Sequence, residues 1–264
     1  MTKVKKKRID NLLVDRGFVE SRSKAQRLVM AGQVRVDGQI VQKPSNSFLD
    51  DVEITIDTGK KYVSRGGEKL EAALTSFQIN VRGLICADVG ASTGGFTDCL
   101  LQNGAKKIYS IDVGKGILHW NLRQNEKVVL MEGVNARHID HLPEIVELVT
   151  IDASFISSKI LLPVVRGWFR ESRSQVVLLI KPQFEAGRTE VSRGKGVIRD
   201  PAVHQEVLFD VLQFAQEAQY QVSGLIRSPL QGPKGNIEFL AWLEWPSQKA
   251  VPVGGIVQPL FLNE

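Results

Sequence analysis

Cysteine is scarce in this chain of 264 residues, which contains only Cys86 and Cys99. Two thiols cannot form the several cross-links of a disulfide-stabilised scaffold, and no Cys-x-x-Cys or Cys/His spacing indicates a zinc site. We expect both side chains to be buried as small apolar groups. A disulfide scaffold and a structural zinc site are therefore excluded from the candidate folds.

Long apolar runs are missing as well. No segment approaches the roughly 18 consecutive apolar residues that span a bilayer, and no apolar signal-peptide core follows the charged N-terminus. No unit of about 20–50 residues repeats, which excludes a solenoid. Hydrophobic residues make up 43% of the chain and charged residues 24%, as is ordinary for a globular protein. We therefore expect a cytoplasmic protein that does not associate with membranes.

Positive charge is concentrated at one end of the chain. Residues 1–61 hold 13 Lys/Arg and 8 Asp/Glu, whereas residues 62–264 hold 21 of each, so the N-terminal part carries the whole net charge of +5. A basic segment of this kind is typical of a domain that binds a polyanion. Nucleic acid is the first candidate partner.

Residues 1–59 predict a small α/β domain. Helical patterns cover residues 9–16 and 21–32, and an alternating strand pattern then surrounds Asp37-Gly38, a dipeptide typical of tight hairpins. Another strand is predicted over residues 52–56. A linker is expected at residues 60–63, before a second domain over residues 64–246.

The second predicted helix carries basic and hydroxyl side chains suited to contact phosphates without reading sequence. With a basic residue that precedes the first helix, they form the candidate RNA-binding set of Arg8, Arg22, Ser23, Lys24 and Arg27. A solvated helix surface without a ligand is the alternative interpretation. Residues 3–7 add charge and are expected to form a disordered tail.

Residues 64–246 predict a doubly wound domain, because apolar strand patterns alternate with helical ones. Strands are predicted over residues 84–89, 107–111, 127–131, 148–151, 176–180, 221–226 and 238–243. Helices are predicted over residues 95–103, 115–124, 157–170 and 201–218. The Gly- and Pro-containing segment 247–264 is expected to be a weakly structured tail.

A glycine-rich loop follows the first of these strands, at the point where a helix is predicted to begin. Glycine allows the backbone to turn sharply and to approach a ligand closely. Asp88 precedes Gly90 by two residues, which is typical of class I S-adenosylmethionine methyltransferases rather than of the GxGxxG dinucleotide motif. The candidate cofactor-binding residues are Asp88, Gly90, Ala91, Ser92, Thr93, Gly94, Asp112 and Asn135.

Asp112 and Asn135 belong to this set because of their positions. Asp112 ends the next strand, where a carboxylate can accept hydrogen bonds from both hydroxyls of a cofactor ribose. Asn135 follows the third strand and is equally suited to contact adenine or to cap a loop. The sequence therefore predicts S-adenosylmethionine as the cofactor.

Asp152 and Lys181 end the fourth and fifth predicted strands. The carboxyl ends of parallel strands meet at one crevice, so we expect both side chains to face the same ligand. Lys181 follows a run of apolar residues and should be partly withdrawn from water, a setting in which lysine can act as a base. A lysine that reaches solvent from a strand end is the alternative.

The order of four motifs resembles that of the FtsJ-like ribose 2′-O-methyltransferases. The motifs are Ser64-Arg-Gly-Gly-Glu-Lys-Leu70, Asp152, Lys181-Pro182 and Gly235-Asn-Ile-Glu238. This resemblance implies a catalytic tetrad of Lys69, Asp152, Lys181 and Glu238. In this hypothesis Lys181 accepts the proton of the ribose hydroxyl, Lys69 lies close to it, and the two carboxylates orient the lysines. The alternative is that Lys181 acts mainly by positioning the hydroxyl.

Residues 8–44 resemble the S4 RNA-binding module, notably in the segments 21–27 and 34–38. An S4 module followed by an FtsJ-like domain is the layout of the TlyA family, historically labelled haemolysins. This resemblance implies a Rossmann-like class I methyltransferase with a mostly parallel sheet behind a small α/β S4 domain. It also implies ribosomal RNA or ribosomal subunits as partner, with a cytidine ribose as methyl acceptor.

Two other interpretations remain. A catalytically silent RNA-binding or ribosome-assembly factor would share both domains but would not need the four tetrad residues. A membrane-lytic protein, as the family label suggests, lacks a spanning segment in this sequence.

Three further motifs carry weaker signals. His138 and His141 lack a third ligand, so we expect no metal site. The Gly-rich basic loops 193–196 and 232–235 are expected either to flank the RNA or to be ordinary surface loops.

Overall fold

The computed structural model describes residues 6–57, 59–170, 174–187, 194, 196–249 and 251–262. The chain divides into two compact units, Met1–Lys61 and Tyr62–Glu264. The division falls inside the linker that the sequence predicts at residues 60–63. Within the described ranges, no helix is both long and apolar enough to cross a membrane.

The N-terminal unit packs two helices against short antiparallel strands. The helices are α1 (Ile9–Asp15) and α2 (Arg22–Met30), and the strands are β1 (Lys7–Arg8), β2 (Val34–Val36), β3 (Gln39–Ile40), β4 (Ser47–Phe48) and β5 (Ile54–Ile56). Strand β2 lies between β3 and β5, and β1 pairs with β4. Asp37 and Gly38 form the β2–β3 turn, both with positive φ, as the dipeptide predicts. Residues 3–5 of the predicted disordered tail lie outside the described residues, whereas Lys7 is in β1.

A buried carboxylate, Asp10, binds the side chains of Arg8 and Arg22 in this unit. Asp10 has no exposed surface. It accepts hydrogen bonds from Arg8 Nε at 3.0 Å, Arg8 Nη2 at 2.8 Å, Arg22 Nε at 3.0 Å and Gln26 Nε2 at 2.9 Å. These donors, Arg8 above all, hold the pKa of the Asp10 carboxyl well below its usual range.

In the second unit, the described residues form seven strands of one sheet. They are β6 (Ile85–Val89), β7 (Lys107–Asp112), β8 (Val128–Glu132), β9 (Leu148–Ile151), β10 (Ser174–Ile180), β11 (Gln221–Arg227) and β12 (Phe239–Trp245). The order across the sheet is β11-β12-β10-β9-β6-β7-β8. Strands β6 to β10 are parallel to one another, and β12 pairs antiparallel with both β10 and β11. The predicted mostly parallel α/β fold is confirmed.

The order in which successive strands are added to the sheet reverses at the neighbouring strands β6 and β9. Strands β6, β7 and β8 follow each other outward on one side, and β9 and β10 continue on the other side of β6. Such a switch point opens a crevice at the carboxyl ends of the strands. The glycine-rich loop after β6 and the segment after β9 therefore meet at this position.

Seven helices accompany the sheet in the described part of the second unit. They are α3 (Gly66–Ser76), α4 (Gly95–Gln102), α5 (Trp120–Arg123), α6 (Ser158–Arg166), α7 (Pro182–Glu185), α8 (Pro201–Glu217) and α9 (Val253–Val257). Cys86 and Cys99 are both buried, as expected from the sequence, and neither forms a disulfide.

Two sequence predictions about these elements are wrong. Only residues 120–123 of the helix predicted over 115–124 are helical. Gly116, near the start of the predicted helix, adopts φ +71°, which a right-handed helix does not allow. The weak structure predicted for residues 247–264 is contradicted by α9, whose Val253 and Val257 are buried in the core of the second unit. Helix α3, which begins at two glycines, was not predicted.

Replacing Asp10 by Asn should destabilise the N-terminal unit by about 2 kcal/mol at neutral pH, because Arg8 and Arg22 lose a charged acceptor. The Asp10 pKa is lowered by folding, so its contribution is present above the unfolded pKa of about 3.9 and is lost as the pH falls below that value. The difference between wild type and variant should therefore shrink below about pH 4.

Hydrogen exchange of the α1 and α2 amides in the full-length protein, measured between acid and neutral pH, tests this expectation. The exposed Asp51→Asn substitution in the same unit is the matched control. Equal protection in the two variants would contradict the proposed importance of the Asp10 pairing.

Candidate active site

The glycine-rich loop after β6 lies against the backbone that follows β9. Gly90 has φ +85°, and a Cβ there would lie 2.7 Å from the carbonyl oxygen of Asp152. Gly94 has φ +98°, and a Cβ there would lie 2.2 Å from Leu122 Cδ1. Both positions therefore require glycine for sterics as well as for conformation. The loop residues from Gly90 to Thr93 line cavities on this edge of the sheet.

Asp88 lies behind this loop and not in a cavity. Its carboxylate is fully buried and accepts hydrogen bonds from Thr97 Oγ1 at 2.7 Å and Thr150 Oγ1 at 2.9 Å. Burial raises the pKa of Asp88 to about 7, although both hydroxyls act in the opposite direction. Asp88 therefore connects β6 with α4 and β9 and supports the loop from behind.

Asp112 and Asn135 line a cavity of about 600 Å³ on the β7 side of the loop. The two Asp112 oxygens accept hydrogen bonds from the backbone amides of Ser92 and Gly114, each at 2.7 Å, which fixes the carboxylate at the end of β7. Asn135 Oδ1 accepts a hydrogen bond from Arg137 N at 3.2 Å and caps a 3-10 turn. Of the two roles predicted for Asn135, it therefore has the capping role, while it also borders the cavity.

A second cavity of about 350 Å³ lies on the other side of the glycine loop. It is bordered by the N-termini of α3 and α4, neither of which has a side-chain cap. A Cβ on Gly95 would lie 2.3 Å from Ser64 Oγ and 2.8 Å from Gly67 N, so the two helix ends are packed closely. The positive dipole ends of two helices without a side-chain cap meet here, which favours an anionic group.

The four residues of the predicted tetrad form two ion pairs at the ends of the strands. Lys69 Nζ lies 2.5 Å from Glu238 Oε2, and Lys181 Nζ lies 2.6 Å from Asp152 Oδ1. Lys69, Lys181 and Glu238 are buried. Four distant parts of the chain are therefore brought together: α3 and the segments that follow β9, follow β10 and precede β12.

Lys181 is held by more than one acceptor. Its ammonium donates to Ser154 Oγ at 3.0 Å and approaches the Asp152 carbonyl oxygen at 3.4 Å. The contact with Asp152 Oδ1 is an ion pair whose angles lie outside those of a hydrogen bond. Burial raises the pKa of Asp152, and the charge of Lys181 opposes that shift.

A third cavity, of about 520 Å³, opens onto all four tetrad residues and also includes Phe155. Phe155 is 91% exposed and has φ +63°, which is rare for a bulky residue. Its ring lies 4.8 Å from that of Phe184 between centroids, and it borders the first cavity as well. Sequence reasoning missed Phe155, because no residue pattern distinguishes an exposed phenylalanine from a buried one.

Several contacts fix the 152–158 segment to the 181–185 segment. In addition to the Lys181–Asp152 and Phe184–Phe155 contacts, Glu185 accepts hydrogen bonds from Ser157 Oγ at 2.6 Å and Ser158 N at 2.7 Å. An unusual backbone conformation persists only where its surroundings enforce it. We infer that these contacts enforce the conformation of Phe155.

The predicted RNA-binding residues of the N-terminal unit are only partly free. Arg8 and Arg22 share Asp10, and Lys24 pairs with Glu20 at 2.9 Å. Ser23 and Arg27 are exposed on α2. Arg22 bonds to Asp10 through Nε, which leaves the other two nitrogens of its guanidinium for a ligand.

His138 and His141 are not among the residues that line these three cavities, whereas Gly196, Gly232 and Lys234 of the two Gly-rich basic loops are. His138 accepts a hydrogen bond from Arg137 Nε at 2.9 Å, and no group of three or more metal-ligating side chains occurs among the described residues. In the predicted basic loop 193–196, residues 193 and 195 lie outside the described residues.

Comparison with known proteins covers both units. A family model described as FtsJ-like methyltransferase matches residues 62–245, and one described as S4 domain matches residues 7–46. The protein YqxC of Bacillus subtilis, whose name assigns it provisionally to the rRNA methyltransferases, is 47% identical over 92% of this chain and 88% of its own length.

Two further relatives extend over nearly the whole chain. The 16S/23S rRNA (cytidine-2′-O)-methyltransferase TlyA of Mycobacterium tuberculosis is 41% identical over 94% of each protein. A solved structure from Streptococcus thermophilus, which bears a hemolysin name, is 42% identical with a TM-score of 0.71 and covers 98% of this chain and 96% of its own.

Replacing Glu185 by Ala should loosen the segment that carries Phe155. The Ser158 amide loses its acceptor, so its hydrogen exchange should become about tenfold faster or more. Glu185→Gln keeps an acceptor oxygen and should exchange at nearly the wild-type rate. Glu126→Ala, in an exposed loop, is the matched control. Unchanged exchange of residues 152–158 in Glu185→Ala would show that Glu185 does not hold this segment.

Proposed function

Because the chain belongs to the TlyA family, with an S4 domain and an FtsJ-like methyltransferase domain, we propose that it methylates a ribose 2′-hydroxyl of RNA. The methyl donor is S-adenosylmethionine. The observation that carries this proposal is the convergence of Lys69, Asp152, Lys181 and Glu238 beside the glycine loop.

The cavities around the glycine loop fit the parts of S-adenosylmethionine. The paired N-termini of α3 and α4, with Ser64, suit its carboxylate. Asp112 suits the ribose hydroxyls, because each carboxylate oxygen retains acceptor capacity after its backbone hydrogen bond. Asn135 and the apolar residues Val134, Ile160 and Leu161 border the space for adenine.

Gly90, Ala91, Ser92, Thr93 and Gly94 form the loop between these subsites, and Asp88 supports it from behind. When bound, the cofactor supplies an electrophilic methyl group on a sulfonium. Asp152 borders all three cavities, so the acceptor hydroxyl and the methyl group meet near this residue.

The tetrad prepares the acceptor hydroxyl. Lys181 orients the 2′-oxygen and, once it has lost its own proton to solvent and is a neutral amine, takes up the hydroxyl proton; Asp152 stabilises the ammonium that forms again. The Lys69–Glu238 pair keeps a second ammonium near the reacting oxygen at no net charge. Burial of Lys69, Lys181 and Glu238 lowers the local dielectric constant, which strengthens these electrostatic contacts.

Phe155 provides an aromatic surface for the base of the acceptor nucleotide. Unpaired RNA bases stack on exposed aromatic rings, and Phe155 projects into the cavity that contains the tetrad. The N-terminal unit supplies phosphate contacts through Arg8, Arg22, Ser23, Lys24 and Arg27. The name of one relative, 16S/23S rRNA (cytidine-2′-O)-methyltransferase, supports ribosomal RNA as the substrate and a cytidine as the acceptor.

Transfer of radiolabelled methyl groups to ribosomal subunits that lack the modification tests the proposed function. We expect incorporation that depends on S-adenosylmethionine, and mapping of the modified nucleotide should locate the methyl group on a ribose 2′-oxygen. Methylation of a base, or RNA binding without any methyl transfer, would contradict the proposal.

Lys181→Met should lower kcat by about 100-fold or more, which is the scale of losing a general base. Cofactor affinity should remain near that of wild type, because Lys181 does not border the two cavities assigned to the cofactor. Lys106→Met is the matched control, because Lys106 is exposed and directly precedes β7, at the opposite end of the strands from the tetrad. Methyl transfer at the wild-type rate by Lys181→Met would remove Lys181 from the mechanism.

Arg27→Gln should weaken RNA binding and flatten its salt dependence. Loss of one phosphate contact reduces the slope of log K against log salt by about one. Binding of ribosomal RNA, titrated at several salt concentrations, gives this slope for the variant and for Lys106→Gln as control. A slope equal to that of wild type would leave Arg27 without a phosphate contact.

A further inference from the structure

The loop before β12 borders two cavities. One is the cavity at the N-termini of α3 and α4, here called the carboxylate subsite, and the other is the cavity that opens onto the tetrad, here called the acceptor cavity. Leu230, Gln231 and Gly232 line the former, and Lys234, Asn236 and Glu238 line the latter. This is one of the two Gly-rich basic loops noted in the sequence, and neither the tetrad nor the cofactor accounts for its lysine.

The charges around the acceptor cavity leave one ammonium unbalanced. Among the described residues that line it, the charged side chains are Lys69, Asp152, Lys181, Lys234 and Glu238. Four of these form two close ion pairs, and each pair is neutral when both of its members are charged. Lys234 is exposed, and its ammonium makes no hydrogen bond or ion pair with the residues that the structure describes. When both ion pairs are charged, as in the resting site, the cavity therefore offers a single net positive charge, at Lys234.

The backbone on both sides of Lys234 is fixed. Gly232 N donates to Asn236 O at 2.8 Å, and a Cβ on Gly232 would overlap the Glu238 carboxylate. The Asn236 side chain is buried, donates to Gly196 O at 3.0 Å and accepts from Ile198 N at 3.1 Å. The loop is thus held from two directions while the lysine side chain extends from it.

Lys234 itself has a left-handed backbone, with φ +60° and ψ +16°. Such a conformation costs a non-glycine residue about 1 kcal/mol or more, and glycine or asparagine would adopt it more easily. Lys234 Nζ lies 4.0 Å from the position of a Cβ on Gly196, so the side chain reaches across to the other wall of the cavity. The local backbone preference therefore does not explain a lysine here, whereas a ligand for its ammonium does.

We propose that Lys234 binds the RNA phosphodiester next to the reacting ribose. This inference rests on the proposed function. A 2′-hydroxyl is attached to the carbon adjacent to the one that carries the 3′-phosphodiester, so an RNA strand that reaches the tetrad brings a negative charge into the same cavity. The tetrad cannot neutralise this charge because its own charges are balanced. A compact ammonium on a flexible stem is a suitable partner for a phosphate.

Steady-state methyl transfer by full-length Lys234→Met and Lys234→Arg, with ribosomal subunits as substrate, tests this contact. Lys234→Met should raise KM for the RNA by about tenfold and leave kcat within about twofold, because the contact is made equally before and during the reaction. The slope of log kcat/KM against log salt should be shallower by about one. Lys234→Arg should restore both quantities, because it keeps the charge.

Lys106→Met is the matched control and should behave as wild type in KM and in salt dependence. Thermal unfolding of Lys234→Met should match that of wild type, because the ammonium stabilises nothing in the described part of the fold. Cofactor affinity should also be unchanged. A wild-type salt slope in Lys234→Met would overturn the proposal, and weakened cofactor binding would place the ammonium on the cofactor instead. Absence of methyl transfer by the wild-type protein would refute the proposed function itself.

Discussion

A buried ammonium is tolerated only beside a carboxylate, since an unpaired buried charge would cost several kcal/mol. Lys181 and Lys69 both meet this condition, through Asp152 and Glu238 respectively. The requirement ties four segments to one place: helix α3, the segments after β9 and β10, and the segment before β12. The order of strands in the sheet makes this possible, because β12 lies beside β10 and β10 beside β9.

Asp152 connects the two halves of the site. Its carbonyl oxygen lies against Gly90, its carboxylate pairs with Lys181, and its side chain or backbone borders all three cavities. A displacement of the segment after β9 would therefore alter the glycine loop and the lysine at the same time. Phe155 shares that segment, so Glu185 and Phe184 influence the whole site by holding it. The contacts of this site serve mainly to position the glycine loop, Lys181 and Phe155 relative to one another.

Sequence patterns predicted the strands well, and the reason is local. The runs at β6, β9 and β10 are buried on both faces, so their apolar character is continuous and easy to read. Patterns failed where tertiary contacts decide. Helix α3 begins with Gly66 and Gly67, which favour no helix by themselves, and Tyr62 packs where a Cβ on Gly67 would lie. The segment that forms α9 lacks a helical composition, and burial of Val253 and Val257 stabilises it.

The sequence by itself determined the fold class, the division near residue 61, the glycine loop and the basic character of the N-terminal unit. These properties follow from periodicity, composition and the conformational freedom of glycine, which act over a few residues. Resemblance to a family supplied the four tetrad positions. Only the tertiary structure decided that Asp88 supports the loop from behind, that Asp10 holds two arginines, that Phe155 is exposed and that Lys234 is the unbalanced charge. The physical reason is that burial and ion pairing depend on which distant segments meet, and a linear pattern does not specify those meetings.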